Sequence, residues 1–386
     1  MTERMRFVSA VTAGEASMAL LCRQYGISRK TGYKWLTRYQ QAGVAGLVER
    51  SRAPQHHPQA VRPAVREAVL ALRGQHPSWG PKKLVATLQR RQPDVSWPAT
   101  STVGEVLRHA GLVVPRRQRR RVPPRTAPLA HATAANAVWC ADFKGDFALG
   151  DGRRCYPLTI SDAHSRYLLR VTALPTTDTA RVQPLFEATF REYGLPAVLR
   201  TDNGPPFAST GAAGLSRLSV WWLKLGIWPE RIDPGQPAQN GRHERMHRTL
   251  KAEACREPAA TLRAQQQRFE QFCLTYNEER PHEARGQVPP ATVYAPSPRP
   301  FPDRLPDLAY PTADAVKWVR PNGTIRWGGR ELYLTQALVG EPVGLTQVGE
   351  DRWQVTFGPL VLGVVAERMG SLRLCSATPT GSGRNG

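Results

Sequence analysis

The chain has 386 residues, with 53 Lys and Arg against 31 Asp and Glu, a net charge of +22. That length allows about two to four domains with at least one sizeable core, and the charge excess points to a polyanionic partner. No apolar run approaches the roughly 18 residues of a membrane-spanning helix, and Arg4 and Arg6 lead into a mixed rather than an apolar segment, so neither a membrane-embedded nor a secreted protein is expected.

The charge is concentrated at the front: residues 1–130 hold 23 basic and 6 acidic side chains, a nucleic-acid footprint rather than an evenly spread solubility device. Cys22, Cys140, Cys155, Cys255, Cys273 and Cys375 are scattered without a C-x-x-C pair, as reduced thiols of a cytoplasmic, nucleoid-associated protein would be.

In chain order, residues 15–40 predict two helices with Ala16, Ala19, Leu20, Ile27, Tyr33, Trp35 and Leu36 inward. Gly26 supplies the tight turn and Ser28 the N-cap, a helix-turn-helix pattern whose second helix would offer Arg29, Lys30, Thr31, Lys34 and Arg38 to a major groove. A solvated basic hairpin is the plainer reading of the same residues. A second helical unit follows, with helices over 61–74, from near Pro81, and over 98–110 with Thr100 or Ser101 as cap. Arg116, Arg117, Arg119, Arg120, Arg121 and Arg125, set among prolines, then form a basic linker suited to tracking phosphates.

From Asn136 the pattern changes. "AVWCADFKGDF" places Val138, Cys140 and Phe143 on one side of a strand, and two more strands flank a turn at 162–165. Residues 178–193 have helical spacing and "PAVLRTDNG" is a short buried strand, giving a mixed α/β sheet. Asp142 and Asp202 sit at strand ends and Glu244 near the start of a helix; 59 residues separate the first two and 41 the last two. Three converging carboxylates suit two divalent cations and phosphodiester chemistry. Taken singly, each has a bland reading: Asp202-Asn203-Gly204 is a good turn anywhere, and Asp146 and Asp162 are placed much like Asp142.

The motifs "VWCADFKG", "LRTDNGPPFAS", "PGQPAQNGRHERMHRTLK" and "YNEERPHEARGQVPPATVY" resemble the DDE-type integrase core of bacterial insertion-sequence transposases, related to retroviral integrases. The resemblance covers residues 1–295 in organisation and is strongest over 136–295. It implies a ribonuclease-H-like fold in which Asp142, Asp202 and Glu244 bind two Mg²⁺ ions, with Mn²⁺ as a substitute. It also implies nicking of double-stranded DNA at element ends, then joining of the freed 3′-OH ends to target DNA. Holding both ends requires a homo-oligomer, a dimer or tetramer on DNA. The interval from Asp202 to Glu244 is longer than usual in that family, and the extra length falls in 208–220.

His243-Glu244-Arg245-Met246-His247 also matches the zinc-protease pattern H-E-x-x-H. No third ligand follows at the expected spacing, Glu270 has no special context, and the helix is basic. The histidines are therefore expected along the DNA channel, with Lys144, Arg242, Arg245, Arg248 and Lys251 as phosphate contacts. Gly235, Pro237, Asn240 and Gly241 would shape the loop before that helix, Pro205, Pro206 and Phe207 the opposite wall, while at least one of Trp221 and Trp222 belongs to core packing.

Residues 296–311 predict a proline-rich linker, 312–370 a small five-stranded β-barrel with a hairpin at Pro321-Asn322-Gly323, and 371–386 a disordered tail. The barrel would bind DNA or partner subunits, or serve a purely structural role. The expected architecture is thus an all-α helix-turn-helix region (1–52 and 59–112), a basic linker (113–135), an α/β ribonuclease-H-like core (136–295) and the all-β module. A DNA-binding regulator with an inactive core is the alternative; the presence of all three acids argues against it.

Overall fold

The computed structural model describes residues 3–49, 60–113, 129–209, 211–232, 241–368 and 371–375. The chain divides into two compact units, Met1–Arg62 and Pro63–Gly386.

The described residues of the first unit form three α-helices, α1 (Glu3–Thr12), α2 (Met18–Gln24) and α3 (Arg29–Ala42), followed by a short 3-10 turn (Gly43–Leu47). Gly26, at φ 64°, makes the α2–α3 turn, and the Ser28 hydroxyl accepts from the Thr31 N–H to cap α3. The core is Phe7, Val8, Leu21, Cys22 and Leu47. α1 lay outside the sequence reading, and it rotates the packing face: Leu21 and Cys22 turn inward while Leu20 and Tyr33 are 57% and 56% exposed, contrary to expectation. Close approach explains Gly32, where an added Cβ would lie 2.7 Å from Cys22 Sγ.

The second unit opens with α4 (Pro63–Gln75), α5 (Pro81–Arg91) and α6 (Thr100–His109) around Trp79, Leu84, Val103 and Leu107. α6 is preceded by Ala99 with no side-chain cap, so neither Thr100 nor Ser101 caps it.

The α/β core is a six-stranded sheet: β1 (Val138–Phe143), β2 (Phe147–Ala148), β3 (Arg154–Asp162), β4 (Leu168–Leu174), β5 (Val198–Thr201) and β6 (Trp228–Arg231). β1 pairs antiparallel with β3 and parallel with β5, β4 extends beyond β3, and β6 closes the far edge parallel to β5. β6 is a further strand beyond those expected from the sequence, and its Pro229 is tolerated because the strand lies at the sheet's edge. Arg200 on β5 grips Glu230 on β6 through two hydrogen bonds of 2.9 Å.

Strand alternation sorts the sheet's two faces. Trp139, Ala141, Leu158 and Ile160 pack with α7 (Thr179–Tyr193) and α8 (Arg217–Lys224); both Trp221 and Trp222 are buried there. Phe143 joins this face, opposite Val138 and Cys140, which corrects the expected strand side. Cys155, Leu168 and Val171 pack with α9 (Gly241–Leu250) and α10 (Leu262–Leu274).

The proline-rich stretch is laced to this core: Leu195 N–H donates to Arg299 O (2.7 Å), and Phe301 packs among Phe190 and Trp221. The all-β region has a five-stranded antiparallel sheet, in which β7 (Ala315–Trp318) pairs with β10 (Pro342–Gly349), followed by β11 (Arg352–Phe357), β12 (Leu360–Arg368) and β13 (Ser371–Cys375). A hairpin of β8 (Thr324–Trp327) with β9 (Arg330–Tyr333) turns at Gly328–Gly329, both at positive φ. The expected turn at Pro321-Asn322-Gly323 also forms, with Gly323 N–H donating to Arg320 O at 2.8 Å, but β7 before it pairs with β10 and not with β8. Leu215, Val220 and Leu223 pack into this β core, and an added Cβ on Gly211 would collide with Thr335 Oγ1. The 208–220 segment therefore docks the all-β region on the α/β core.

Candidate functional site

β1 and β5 are parallel neighbours with Cys140 opposite Arg200. Two residues further along each strand direction stand Asp142 and Asp202, so the two residues leave the same end of adjacent strands, whose backbones run about 4.8 Å apart. Asp202 folds back toward Gly204, where an added Cβ would lie 3.1 Å from Asp202 Oδ2, and its Oδ1 is buried with no hydrogen-bond partner among the described residues. Glu244 is exposed on the first turn of α9. Burial, then the charge of Asp202, and further the charge of Glu244 push the Asp142 carboxyl up to about 7. Burial also raises Asp202. Asp142 thus feels the charges of both other acids from a half-buried position, Asp202 carries an unpartnered carboxylate oxygen, and Glu244 stands exposed beside them. Carboxylate oxygens are the donors a hard divalent cation prefers, although Asp142, Asp202 and Glu244 do not form a group with ligand atoms within 4.8 Å of one another among the described residues.

The histidines lie elsewhere than along an open channel. His243 and His247 are 2% and 6% exposed, on the face of α9 that also carries Met246 and Leu250. Thr159, opposite Asp142 in the β1–β3 ladder, donates its hydroxyl proton to Asp142 O at 2.9 Å. Both Nε2 atoms reach the same Thr159 Oγ1 at 2.7 Å. A hydroxyl that has spent its proton accepts, so these hydrogen bonds assign the Nε2–H tautomer to both rings. His243 Nδ1 then accepts from Ser161 Oγ at 3.1 Å, and His247 Nδ1 faces Asp142 Oδ2 at 3.8 Å. Ligand atoms of Asp142, His243 and His247 lie within 4.8 Å of one another. Only His247 Nδ1 has its lone pair free for a cation, and one nitrogen does not make a tetrahedral zinc site. Burial drives His243 down to about 3 and His247 to about 2, so both are neutral near pH 7. Thr159 and Ser161, which sequence reading passed over, fasten α9 and hence Glu244 to the sheet. His243→Ala is expected to cost about 3 kcal/mol of stability, from the cavity and the two hydrogen bonds lost, measurable by urea unfolding.

The acids that rival Asp142 by sequence pattern have other partners. Asp162 accepts from Asn136 N–H (2.8 Å) and from the N–H and hydroxyl of Ser165 (both 2.6 Å). Asp146 pairs with Arg154, and Glu270 accepts from Gln266 on α10.

Among the basic candidates, Arg29, Lys30 and Lys34 are exposed on α3, Arg38 is half-buried, and Thr31 is engaged with Ser28. Arg116, Arg117, Arg119, Arg120, Arg121 and Arg125 lie outside the described residues, as do Gly235, Pro237 and Asn240. Lys144 acts on Asp142 and His247, Arg242 donates to Ala163 O at 3.5 Å, and Arg245, Arg248 and Lys251 are exposed. Pro206 and Phe207 are buried behind Asp202. No helix among the described residues is long and apolar enough to cross a membrane.

Family comparisons match residues 132–237 and 225–290 to integrase core domains, residues 3–55 to a helix-turn-helix domain and residues 31–107 to a homeodomain-like domain. The chain is 31% identical over 190 residues to the 31.7 kDa protein of insertion element IS407 from Burkholderia multivorans, covering 49% of this chain and 66% of that one. It is 26% identical over 275 residues to the 39.2 kDa protein of insertion element IS476 from Xanthomonas euvesicatoria, covering 71% of this chain and 77% of that one. Among solved structures, the catalytic core of HTLV-2 integrase in complex with magnesium aligns with a TM-score of 0.34 and 16% identity, over 42% of this chain and 98% of that one.

Proposed function

The chain belongs to the insertion-sequence transposases with an integrase-type core, and on that premise we propose that it cuts the ends of its own element and joins them to target DNA. Helix-turn-helix helices recognise the terminal repeats, α3 reading the groove with Arg29, Lys30 and Lys34 foremost. Asp142, Asp202 and Glu244 hold two Mg²⁺ ions, for which Mn²⁺ substitutes. When bound, the ions activate an attacking oxygen and stabilise the leaving one.

The observation that carries this reading is the pair of carboxylates on adjacent parallel strands, with the Glu244 charge acting on Asp142 and Asp202 Oδ1 without a partner. In the first step a water oxygen bonds to the scissile phosphorus and the P–O3′ bond breaks, leaving a 3′-OH on the element. In the second, that 3′-OH bonds to a target phosphorus and displaces the target's own 3′ oxygen. The neutral His243–Thr159–His247 network keeps Glu244 in register with Asp142 and holds no mobile proton at working pH. Two ends must be cut in concert, which calls for a dimer or tetramer on the DNA.

The test is a joining assay with labelled duplex copied from the inverted repeats that flank the gene, a plasmid target and Mg²⁺ or Mn²⁺. Nicked and joined products are expected with either ion and none in chelator. Tight end binding with no cut under either ion would contradict the proposal and favour a DNA-binding regulator.

A further inference from the structure

We propose that Arg166, Arg242 and Arg285 form a cradle for a backbone phosphate of duplex DNA, beside the helix that carries Glu244. The inference rests on the DNA-handling function above and adds to it a binding site of its own.

Three elements far apart in sequence meet at the β3–β4 turn. Arg242, on the first turn of α9, donates to Ala163 O at 3.5 Å, and Arg285 donates to the next carbonyl, that of His164. Arg166 follows two residues later in the same turn, and its guanidinium makes no hydrogen bond or ion pair among the described residues. Arg285 Nε is buried and likewise without a hydrogen-bond partner among them. Asp162, the carboxylate that opens the turn, is already taken by Asn136 N–H and by both donors of Ser165. After burial, the strongest influences on Arg166 are the like charges of Arg242 and Arg285. Three cations drawn together, with no carboxylate paired to them among the described residues, is an arrangement that an anion completes, and guanidinium forks match phosphate oxygens in geometry.

The backbone gives independent support. Arg166 sits at φ 73°, in the left-handed region that favours glycine over a side chain such as arginine. A strained residue kept at such a position marks a site where the side chain is needed. The loop that carries Arg285 also reaches the helical region: Glu283 pairs with Lys82 of α5 at 2.6 Å, and Pro281 O accepts from Lys83. A phosphate on the cradle would therefore lie on a basic path from α5 to the flank of α9. Repeated phosphate contact along such a path is a duplex property, which is why the ligand is assigned to DNA rather than to a free anion.

Arg166→Gly removes the side chain and suits the backbone. Its affinity for a labelled mixed-sequence duplex would be measured by fluorescence anisotropy across a series of KCl concentrations, in chelator so that no cutting intervenes. The slope of log K against log salt is expected to shrink by up to about 0.9, the value for one phosphate wholly released, with the melting temperature unchanged or raised. Arg166→Lys, which keeps the charge, should retain the slope, and Arg263→Gln, an exposed arginine on α10, should leave it at the wild-type value. A slope unchanged in Arg166→Gly, or lowered no more than in Arg263→Gln, would overturn the cradle, as would a slope change accompanied by loss of the fold. If inorganic phosphate at matched ionic strength stabilises wild type over Arg166→Gly while the DNA slopes coincide, the pocket serves a free anion and the DNA assignment fails. A chain that binds with the expected slopes yet never joins ends would sink the proposed reaction and leave the cradle standing.

Discussion

Asp202→Asn is expected to lower end joining by about 10³-fold or more, equivalent to about 4 kcal/mol of barrier, while leaving affinity for the same duplex in chelator unchanged. The substitution keeps the side chain's size and its turn with Gly204 but replaces one carboxylate oxygen by an amide that cannot serve as an anionic ligand. Removing the charge also relieves Asp142, whose carboxyl Asp202 helps to hold up. The melting temperature should therefore stay level or rise, which separates loss of chemistry from loss of fold. Activity within tenfold of wild type would remove Asp202 from the reaction.

The second large effect is on stability against pH in chelator. The Asp142 carboxyl stands near 7 in the folded protein, against 3.8 for its ordinary value. Between those values the folded state holds a proton that the unfolded chain has released, so this group's contribution falls as pH rises through the window and is fully lost above about 7. The loss approaches 4 kcal/mol, as about 3 pKa shifts at 1.36 kcal/mol each. His243 and His247 act with the opposite sign: depressed to about 3 and 2, they take up protons more readily in the unfolded chain and weaken the fold as pH drops below about 6.5. Comparison with Asp142→Asn isolates the carboxylate. The variant's advantage in urea unfolding should be near zero at pH 4 and grow to a few kcal/mol by pH 8. Mg²⁺ at pH 8 should restore stability to wild type and not to the variant. A flat difference across that range would show that Asp142 is not held protonated by its surroundings.

Much of this architecture was legible because it is written locally. Gly26 and Ser28 mark the turn and cap between α2 and α3, and the short apolar runs ending in Asp142 and Asp202 mark strand ends. What escaped depends on partners distant in the chain. The inward face of α2 is set by α1, so Leu21 and not Leu20 is buried. β7 finds β10 rather than its neighbour β8, since a Pro-Asn-Gly turn specifies a reversal but not which strands pair across it. The basic composition of α9 suggested an exposed helix, yet His243, Met246, His247 and Leu250 recur at the spacing of one buried face, a signal present in the sequence and outweighed by charge. Arg166 and Arg285 carry no local sign of their meeting; only the fold brings them to one turn.

The central claim is that three carboxylates, and not the histidine pair between them, make a divalent metal centre. Titration of Mn²⁺ into metal-free protein, followed by the loss of the free-ion electron paramagnetic resonance signal, tests it most directly. Saturable uptake is predicted for wild type and for His243→Ala, with uptake weakened at least tenfold in Asp142→Asn and Asp202→Asn. Uptake that survives both Asp variants and disappears with His243 would contradict the account and return the site to its histidines.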